Sequence, residues 1–307
     1  MQEYKGVAHS ALMRNILEKA KNCAELPRPV LIRGERGTGK ELLARYIHDC
    51  SPRKNGVFQA VNCAAFNDEL LNAEIFGYEK GAFTGANEAR PGRLEQCDGG
   101  TLFLDEVGSM SPAFQDRILR VLEYQKFERM GGSQLREVDV RIISATNAPL
   151  EEMMAEKLFR ADLYDRLTFV EFNLPPLRQH REDIPHLIVR FVQELQLEIP
   201  NLPQKTFQRE TVEAMMDYYW PGNIRELKNM VERLYVFTDT EIIRPGDLPE
   251  VITGKIDTGK SFSDRVEQFK KRLIEETLEE CSGNQRAAAR QLQMSYDQFR
   301  HYYRKYS

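Results

Sequence analysis

Apolar residues gather first in short unbroken runs. Pro29–Gly34, Val57–Val61, Thr101–Asp105 and Val140–Ala145 each read as a strand buried on both faces, the pattern of a sheet with helices on either side. Between them, residues 40–50 and 112–124 repeat apolar positions at helical spacing. This strand–helix alternation predicts an α/β fold, a mainly parallel sheet flanked by helices, ending near residue 172. From about 183 to 235 strand signals vanish and helical periodicity continues, predicting an all-helical subdomain. Pro249, Gly254 and Gly259 mark an apolar-poor linker. A long amphipathic helix then begins at Ser263, with Val266, Phe269, Leu273 and Leu278 on one face, and Ser282-Gly283-Asn284 signal its end. A second helix over 285–292 carries Ala287, Ala288 and Leu292. Gln293-Met294 turn the chain, and Ser295 with Gln298 forms a capping box for a third helix. The expected boundaries are 1–172 for the α/β subdomain, 173–250 for the helical lid, 251–262 for the linker and 263–307 for the terminal unit.

Composition narrows the class. At 307 residues, 41% apolar and 29% charged, the chain has the balance of a globular protein with ample core in about two domains. No apolar run approaches the ~18 residues needed to cross a bilayer, and no charged-then-apolar leader opens the chain. Cys23, Cys50, Cys63, Cys97 and Cys281 are odd in number and lack CxxC spacing, which argues against a disulfide framework and a structural zinc. A cytoplasmic protein without membrane insertion is expected. The net charge is −4, yet residues 283–307 hold Arg286, Arg290, Arg300, Arg304 and Lys305 against Asp297 alone. That end suits phosphate, or is a solvated helix face.

The chemistry concentrates in two places. Gly34-Glu35-Arg36-Gly37-Thr38-Gly39-Lys40-Glu41 follows the first strand and opens a helix, the setting in which glycines let backbone N–H groups curl around phosphates while a lysine reaches the β/γ oxygens. Glu41 stands where a magnesium-binding hydroxyl usually sits. Downstream, an apolar strand ends in Asp105-Glu106. Asp105 is placed to hold Mg²⁺ directly or through water, and Glu106 to polarise an attacking water. Together the two sites predict an ATP-hydrolysing enzyme. Asn147, at the next strand's end, is a candidate for the γ-phosphate or the water, and Asn62 for a hydrogen bond to Glu106; the alternative for each is that it terminates its strand.

These motifs, with Gly81-Ala82-Phe83-Thr84-Gly85-Ala86, Phe159–Leu167 and Trp220-Pro-Gly-Asn-Ile-Arg-Glu-Leu227, resemble the AAA+ domain of bacterial enhancer-binding proteins, activators of sigma-54 RNA polymerase. The resemblance covers essentially the whole chain, and in that family a glutamate commonly follows the P-loop lysine. It implies that the Gly81–Ala86 loop contacts sigma-54, and that Arg160 and Arg166 reach the γ-phosphate of a neighbouring subunit. It also implies that Arg225 reports the phosphate from the lid. Salt bridges to Asp162 or Asp165 are the structural alternative for the first two, and a surface pair with Glu226 for Arg225. An arginine finger accelerates phosphoryl transfer roughly 10³–10⁵-fold, so activity is expected to need a ring, a hexamer by expectation. The hexapeptide sits between helical stretches, bracketed by glycines that permit a mobile tip offering Phe83 and Thr84. Burying one phenylalanine contributes only about 1.5–3 kcal/mol, so one loop grips weakly.

A short helix, a tight turn and a capped basic helix make helix-turn-helix grammar, and the segment resembles the Fis-type domain. Tyr296, Gln298, Arg300 and His301 are candidates for base contacts in double-stranded DNA (an upstream activating sequence). Arg304 and Lys305 lie nearer phosphate, with Arg286 and Ser295 beside them. Phe299, Tyr302 or Tyr303 must supply the core side. The resulting expectation is an activator that remodels the closed promoter complex with ATP. The alternative is a DNA-binding regulator or repressor whose nucleotide site only controls assembly, and a generic AAA+ remodeller is disfavoured by the helix-turn-helix. The resemblance already begins at Gly6, where the family usually carries a receiver or sensing domain first. Control by a separate negative regulator in trans is therefore expected, as in the phage-shock-operon type, unless the chain is a piece of a longer one.

Overall fold

A computed structural model describes residues 9–253, 271, 274, 277–278, 281, 284–292 and 294–306. The chain divides into two compact units, Met1–Ile252 and Thr253–Ser307. Expectations that rest on Gly6, Gly254, Gly259, Ser263, Val266, Phe269, Leu273, Ser282, Gly283 and Gln293 lie outside the described residues.

The first unit is built on five parallel strands in the order β2-β5-β8-β1-β9: β1 Val30–Arg33, β2 Phe58–Asn62, β5 Thr101–Asp105, β8 Arg141–Thr146 and β9 Val170–Asn173. All six residues of β8 are buried, as are the first four of β5, because helices cover both faces. Leu31, Leu102, Leu104 and Ile142 face one core with α3 (Asp68–Phe76), α4 (Pro112–Tyr124) and α5 (Ala161–Leu167). Val30, Ile32, Phe103, Ile143 and Ala145 face the other with α1 (Ala11–Ala24) and α2 (Lys40–Asp49). The alternation along each strand thus feeds two cores at once.

The lid carries α6 (Ile184–Glu198), α7 (Arg209–Asp217) and α8 (Asn223–Phe237) around a core that includes Trp220, Leu227, Val231 and Tyr235. It is not wholly helical: β10 (Thr206–Phe207) pairs in parallel with β11 (Ile242–Ile243). Two residues are too few to show strand alternation, so the sequence carried no signal for this pair. Asp183 ties the lid to the start of α1. Its carboxylate accepts from Ser10 Oγ at 2.7 Å, from the backbone N–H groups of His9 and Ser10, and pairs with His180 Nδ1 at 2.9 Å. Burial pushes this carboxyl up, but the bonds from His180 and Ser10 outweigh it and hold it below the usual range.

The Gly81–Ala86 hexapeptide lies between the helices Asp68–Phe76 and Arg93–Gln96, as expected, but does not join them directly. It stands on an antiparallel neck, β3 (Gly77–Tyr78) with β4 (Arg90–Pro91), beside a hairpin of β6 (Lys126–Glu128) and β7 (Leu135–Glu137). Strands this short again escape a periodicity reading.

In the second unit, α9 (Gln285–Gln291) and α10 (Tyr296–Tyr306) pack on Ile274, Ala288, Ala289 and Phe299. The buried alanines of α9 are 288 and 289, whereas Ala287 and Leu292 are half-buried. The expected capping box is present, Ser295 and Gln298 exchanging bonds of 3.0 and 3.2 Å. Asn284, read from sequence only as part of a helix end, caps α9, its Oδ1 accepting from the N–H groups of Arg286 and Ala287 at 3.1 Å.

Candidate functional site

The P-loop leaves β1 and enters α2 through Gly39, whose φ of 92° makes it a left-handed helix cap. Lys40 is 7% exposed and lies back across the loop, donating to the carbonyls of Gly34 at 3.1 Å and Glu35 at 3.3 Å. Burial lowers its pKa, opposed by the charges of Glu106 and Asp105. Strand register sets Asn62 directly beside Asp105. A cavity of about 310 Å³ brings together Arg36, Gly37, Gly39, Lys40, Glu41, Asn62, Asp105, Glu106 and Arg225.

The acid pair is held in a distinctive way. Asp105 Oδ1 accepts from the Glu106 N–H at 3.0 Å, and Glu106 adopts φ 55°, ψ 47°. A non-glycine residue there costs of order 1–3 kcal/mol, a strain that turns the side chain off the strand line. Burial raises the Asp105 carboxyl and the like charge of Glu106 adds to this, with Lys40 opposing. Among the described residues, the Glu106 carboxylate accepts no hydrogen bond, which leaves it available to a water. The expected bond from Asn62 to Glu106 is not formed: Asn62 Oδ1 accepts instead from Ala64 N at 2.9 Å, capping the turn that follows. A bond two residues away needs no closure across strands. Asn147 lines an adjoining cavity with Glu35, Arg36 and Thr146 rather than this one.

The lid touches the outer side of the P-loop. Arg178 grips Glu35 with two bonds, 2.9 and 2.6 Å, and stacks on Tyr219. Those bonds, with a further one from Asn223, hold the Glu35 carboxyl down to about 2. Arg225 forms no pair with Glu226, whose carboxylate accepts from the Gly222 N–H at 2.7 Å. Among the described residues neither Arg36 nor Arg225 has a carboxylate partner. Thr38 Oγ1 is turned away to the Glu35 carbonyl at 2.9 Å.

Sequence reasoning missed an apolar slot beside the P-loop. Met13 and Leu17 of α1, Leu42 of α2, Leu174 after β9, and Leu187 and Ile224 of the lid line it, with His180 and Asp183 at its polar end. It suits a flat heterocycle such as a nucleobase. No local motif marks it, since its walls come from separate elements; only the i,i+4 pair on α1 hints at it.

Neither Arg160 nor Arg166 lines the cavity around Lys40 and Asp105. Arg160 chelates Asp162 through bonds of 2.9 and 2.6 Å and also pairs with Asp116. Arg166 pairs with Glu123 at 3.2 Å. The ion pair to Asp162 foreseen from sequence is therefore present, while Asp165 takes no part.

In the hexapeptide, Gly81 N donates to Ala86 O at 2.9 Å, closing the loop on itself. Gly81 and Gly85 have φ of 84° and 105°. Thr84 is exposed, but the Phe83 ring is half-buried against Tyr78, centroids 5.0 Å apart. Ala82 is half-buried beside Gly131, and Ala86 is buried at 5% exposure, so Ala86 is not a surface contact in this conformation. Beneath the neck, Arg129 grips Glu95 at 2.7 and 2.8 Å and Glu79 at 3.2 Å, and Arg136 spans the same two acids.

On α10, Tyr296, Gln298, Arg300, His301 and Lys305 are exposed, while Phe299 is fully buried. Tyr302 and Tyr303 are half-buried against the same core. Arg286 lies over the Tyr296 ring at 5.4 Å. The Arg304 side chain lies outside the described residues.

Comparison with known proteins gives a consistent result. The Sigma-54 interaction domain family matches residues 7–173, the AAA+ ATPase lid domain 178–264, and the Fis family of bacterial regulatory proteins 265–306. The Nif-specific regulatory protein of Herbaspirillum seropedicae is 50% identical over 224 residues, covering 73% of this chain and 41% of that protein. The Psp operon transcriptional activator of Escherichia coli K12 is 42% identical, covering 98% of both. The crystal structure of NtrX from Brucella abortus in complex with ADP aligns with a TM-score of 0.74 at 35% identity, over 98% of this chain and 68% of that one. The chain thus spans about two fifths of the first relative and nearly all of the second. Among the described residues, no helix is long and apolar enough to cross a membrane.

Proposed function

The chain belongs to the Sigma-54 interaction domain family of AAA+ ATPases with a Fis-type helix-turn-helix, and from that premise we propose that it is an ATP-driven transcriptional activator. It binds enhancer-like DNA, assembles into a ring, and uses hydrolysis to remodel the sigma-54 polymerase closed complex into an open one. The observation that carries this reading is the coexistence of the Lys40–Asp105–Glu106–Arg225 cavity and a self-closed Gly81–Ala86 loop in one compact unit.

Each residue has a task in the proposed turnover. The N–H groups of the Gly34–Gly39 loop and Lys40 hold the β/γ oxygens, which requires the Lys40 ammonium to leave the loop carbonyls it now contacts. Glu106 accepts a proton from water as the water oxygen bonds to the γ-phosphorus and the bond to the β-bridging oxygen breaks, releasing ADP and phosphate. Asn62 lies within the same cavity to orient that water. Arg225 meets the phosphate from the lid, and Arg160 and Arg166 complete the charge from an adjacent protomer.

Mg²⁺ fits the donor set. Asp105 is a half-buried carboxylate raised by burial and by its neighbour's charge, a situation a divalent cation relieves. Among the described residues no cluster of three His, Cys, Asp or Glu could hold a metal, so Asp105 and the substrate phosphates would share the ion. It would neutralise charge on the phosphate oxygens.

Thr84, at the exposed tip, is the point of thrust on sigma-54. On DNA, Arg300, His301, Tyr296 and Gln298 are the base readers and Lys305, Arg304 and Arg286 the phosphate contacts. The decisive assay is open-complex formation by sigma-54 polymerase on a matched promoter, with ATP against a non-hydrolysable analogue. Opening with ATP alone supports the reading, and equal opening with both excludes it.

A further inference from the structure

Asn223 is fully buried and sits at φ 54°, a left-handed conformation that asparagine tolerates better than most residues. Its side chain is fully used. Nδ2 donates to Glu35 Oε2 at 3.1 Å and to the Arg36 carbonyl at 3.0 Å, and Oδ1 accepts from the Leu177 N–H at 2.8 Å. The next residue adds a backbone bond, Ile224 N to Gly37 O at 2.9 Å. Three consecutive P-loop residues are therefore bonded to one turn of the lid. Arg178, at the lid's other entry, grips the same Glu35 carboxylate.

Arg225 follows Asn223 by two residues on α8 and lines the phosphate cavity with Lys40, Asp105 and Glu106. It has no ion pair among the described residues. The backbone that carries it is thus pinned to the P-loop while its guanidinium stays disengaged. We infer that Glu35, Arg178 and Asn223 form a clasp that positions Arg225 over the γ-phosphate, so that the lid arginine's reach is set by the P-loop itself. This rests on the ATPase reading above and names positioning residues for it; none of their bonds points into the cavity. Glu35 is suited to the part. Its carboxyl is held down to about 2, so it stays charged throughout the range in which the protein works.

The clasp is tested with the full chain by measuring ATP and ADP affinity with fluorescent nucleotides. The proteins compared are the unaltered one, Arg178→Gln, Asn223→Asp, Arg225→Gln, and Arg178→Gln combined with Arg225→Gln. Asn223→Asp keeps volume and left-handed tolerance but replaces a donor with an oxygen facing Glu35. If the clasp acts through Arg225, Arg178→Gln and Asn223→Asp each weaken ATP about tenfold and ADP less than about twofold. The double variant then loses no more than Arg225→Gln alone, because the two residues act on one interaction. Arg178→Lys, keeping one charged bond, recovers part of the ATP preference. ADP affinity near the unaltered value also certifies that the P-loop is folded. Equal losses for ATP and ADP, or additive losses in the double variant, overturn the clasp while leaving the ATPase reading intact. Failure of the unaltered protein to bind either nucleotide removes that reading, and the clasp with it.

Discussion

Gly37 of the P-loop and Gly222 of the lid meet backbone to backbone: a β-carbon built on Gly37 would stand 2.3 Å from the Gly222 carbonyl oxygen. Gly37 also has φ 78°. Its lack of a side chain serves lid docking as well as the proposed phosphate binding. Gly39 differs, because a β-carbon there would meet nothing closer than 3.8 Å, although its φ is 92°. Gly39→Ala therefore meets backbone strain alone, roughly 1–2 kcal/mol, whereas Gly37→Ala must also displace the lid. Thermal melting should place Gly37→Ala well below Gly39→Ala, and ATP affinity should fall further in the former. Equal behaviour would mean that the lid is not seated on Gly37 in solution.

Glu106→Gln keeps the volume and hydrogen-bonding shape of the acid but cannot take a proton. ATP binding should persist while turnover drops about 10²–10⁴-fold. Thr84→Ala should do the reverse, sparing turnover and abolishing promoter opening. Rapid-quench hydrolysis alongside permanganate footprinting separates the two, and a Thr84→Ala protein that loses both activities would contradict the division of labour.

Arg160→Ala protein retains its own cavity but lacks the finger, and Lys40→Ala protein retains the finger but lacks its phosphate lysine. Each alone should be nearly silent. Mixed, they should regain measurable ATPase activity with a maximum at intermediate ratios, because some interfaces then pair an intact cavity with an intact finger. A flat mixing curve would place Arg160 outside the catalytic interface.

Acid should loosen the lid. Glu35 has a folded pKa of about 2 against an ordinary 4.5, so the folded state holds its proton less tightly than the unfolded chain. Its contribution to stability is therefore complete above about pH 4.5 and disappears as pH falls toward about 2. Asp183, also lowered, acts in the same direction. Urea midpoints between pH 7 and pH 3 should fall more steeply for the unaltered protein than for Glu35→Gln, and parallel curves would rule Glu35 out as a contributor.

DNA binding through α10 should be strongly salt-dependent. With about six phosphate contacts per dimer, log affinity should fall against log salt with a slope near −5. Arg300→Ala should cost about 1–3 kcal/mol and relax sequence preference if Arg300 reads a base. Titration by fluorescence anisotropy at several salt concentrations measures both, and a salt-independent association would point to a protein-docking surface.

That Gly34–Glu41 and Asp105-Glu106 would meet in one cavity was legible in the sequence, because the two segments confine telling residue types to a few adjacent positions. Arg225 was also legible and does line the cavity. What escaped depends on register and chain reversal. Asn223 stands in the sequence only as one member of the Trp220–Leu227 motif, and the fold alone reveals that its amide reaches Glu35 across 188 positions. The apolar slot beside the P-loop draws single aliphatic residues from distant elements, which leaves no pattern in any window. Asn62 shows the reverse case: its place beside Asp105 follows from the strands, but a nearer N–H captured its amide oxygen. The two-residue strands β3, β4, β10 and β11 fall below the length at which alternation can be seen.

Arg160 and Arg166 are already engaged at home, with Asp116, Asp162 and Glu123. On the ring proposed above, an isolated subunit keeps both claws sheathed by its own acids, and joining would be an exchange in which those acids surrender the guanidinium groups to a neighbour's nucleotide. Such an exchange would discourage wasteful burning of fuel by stray copies at the level of single side chains.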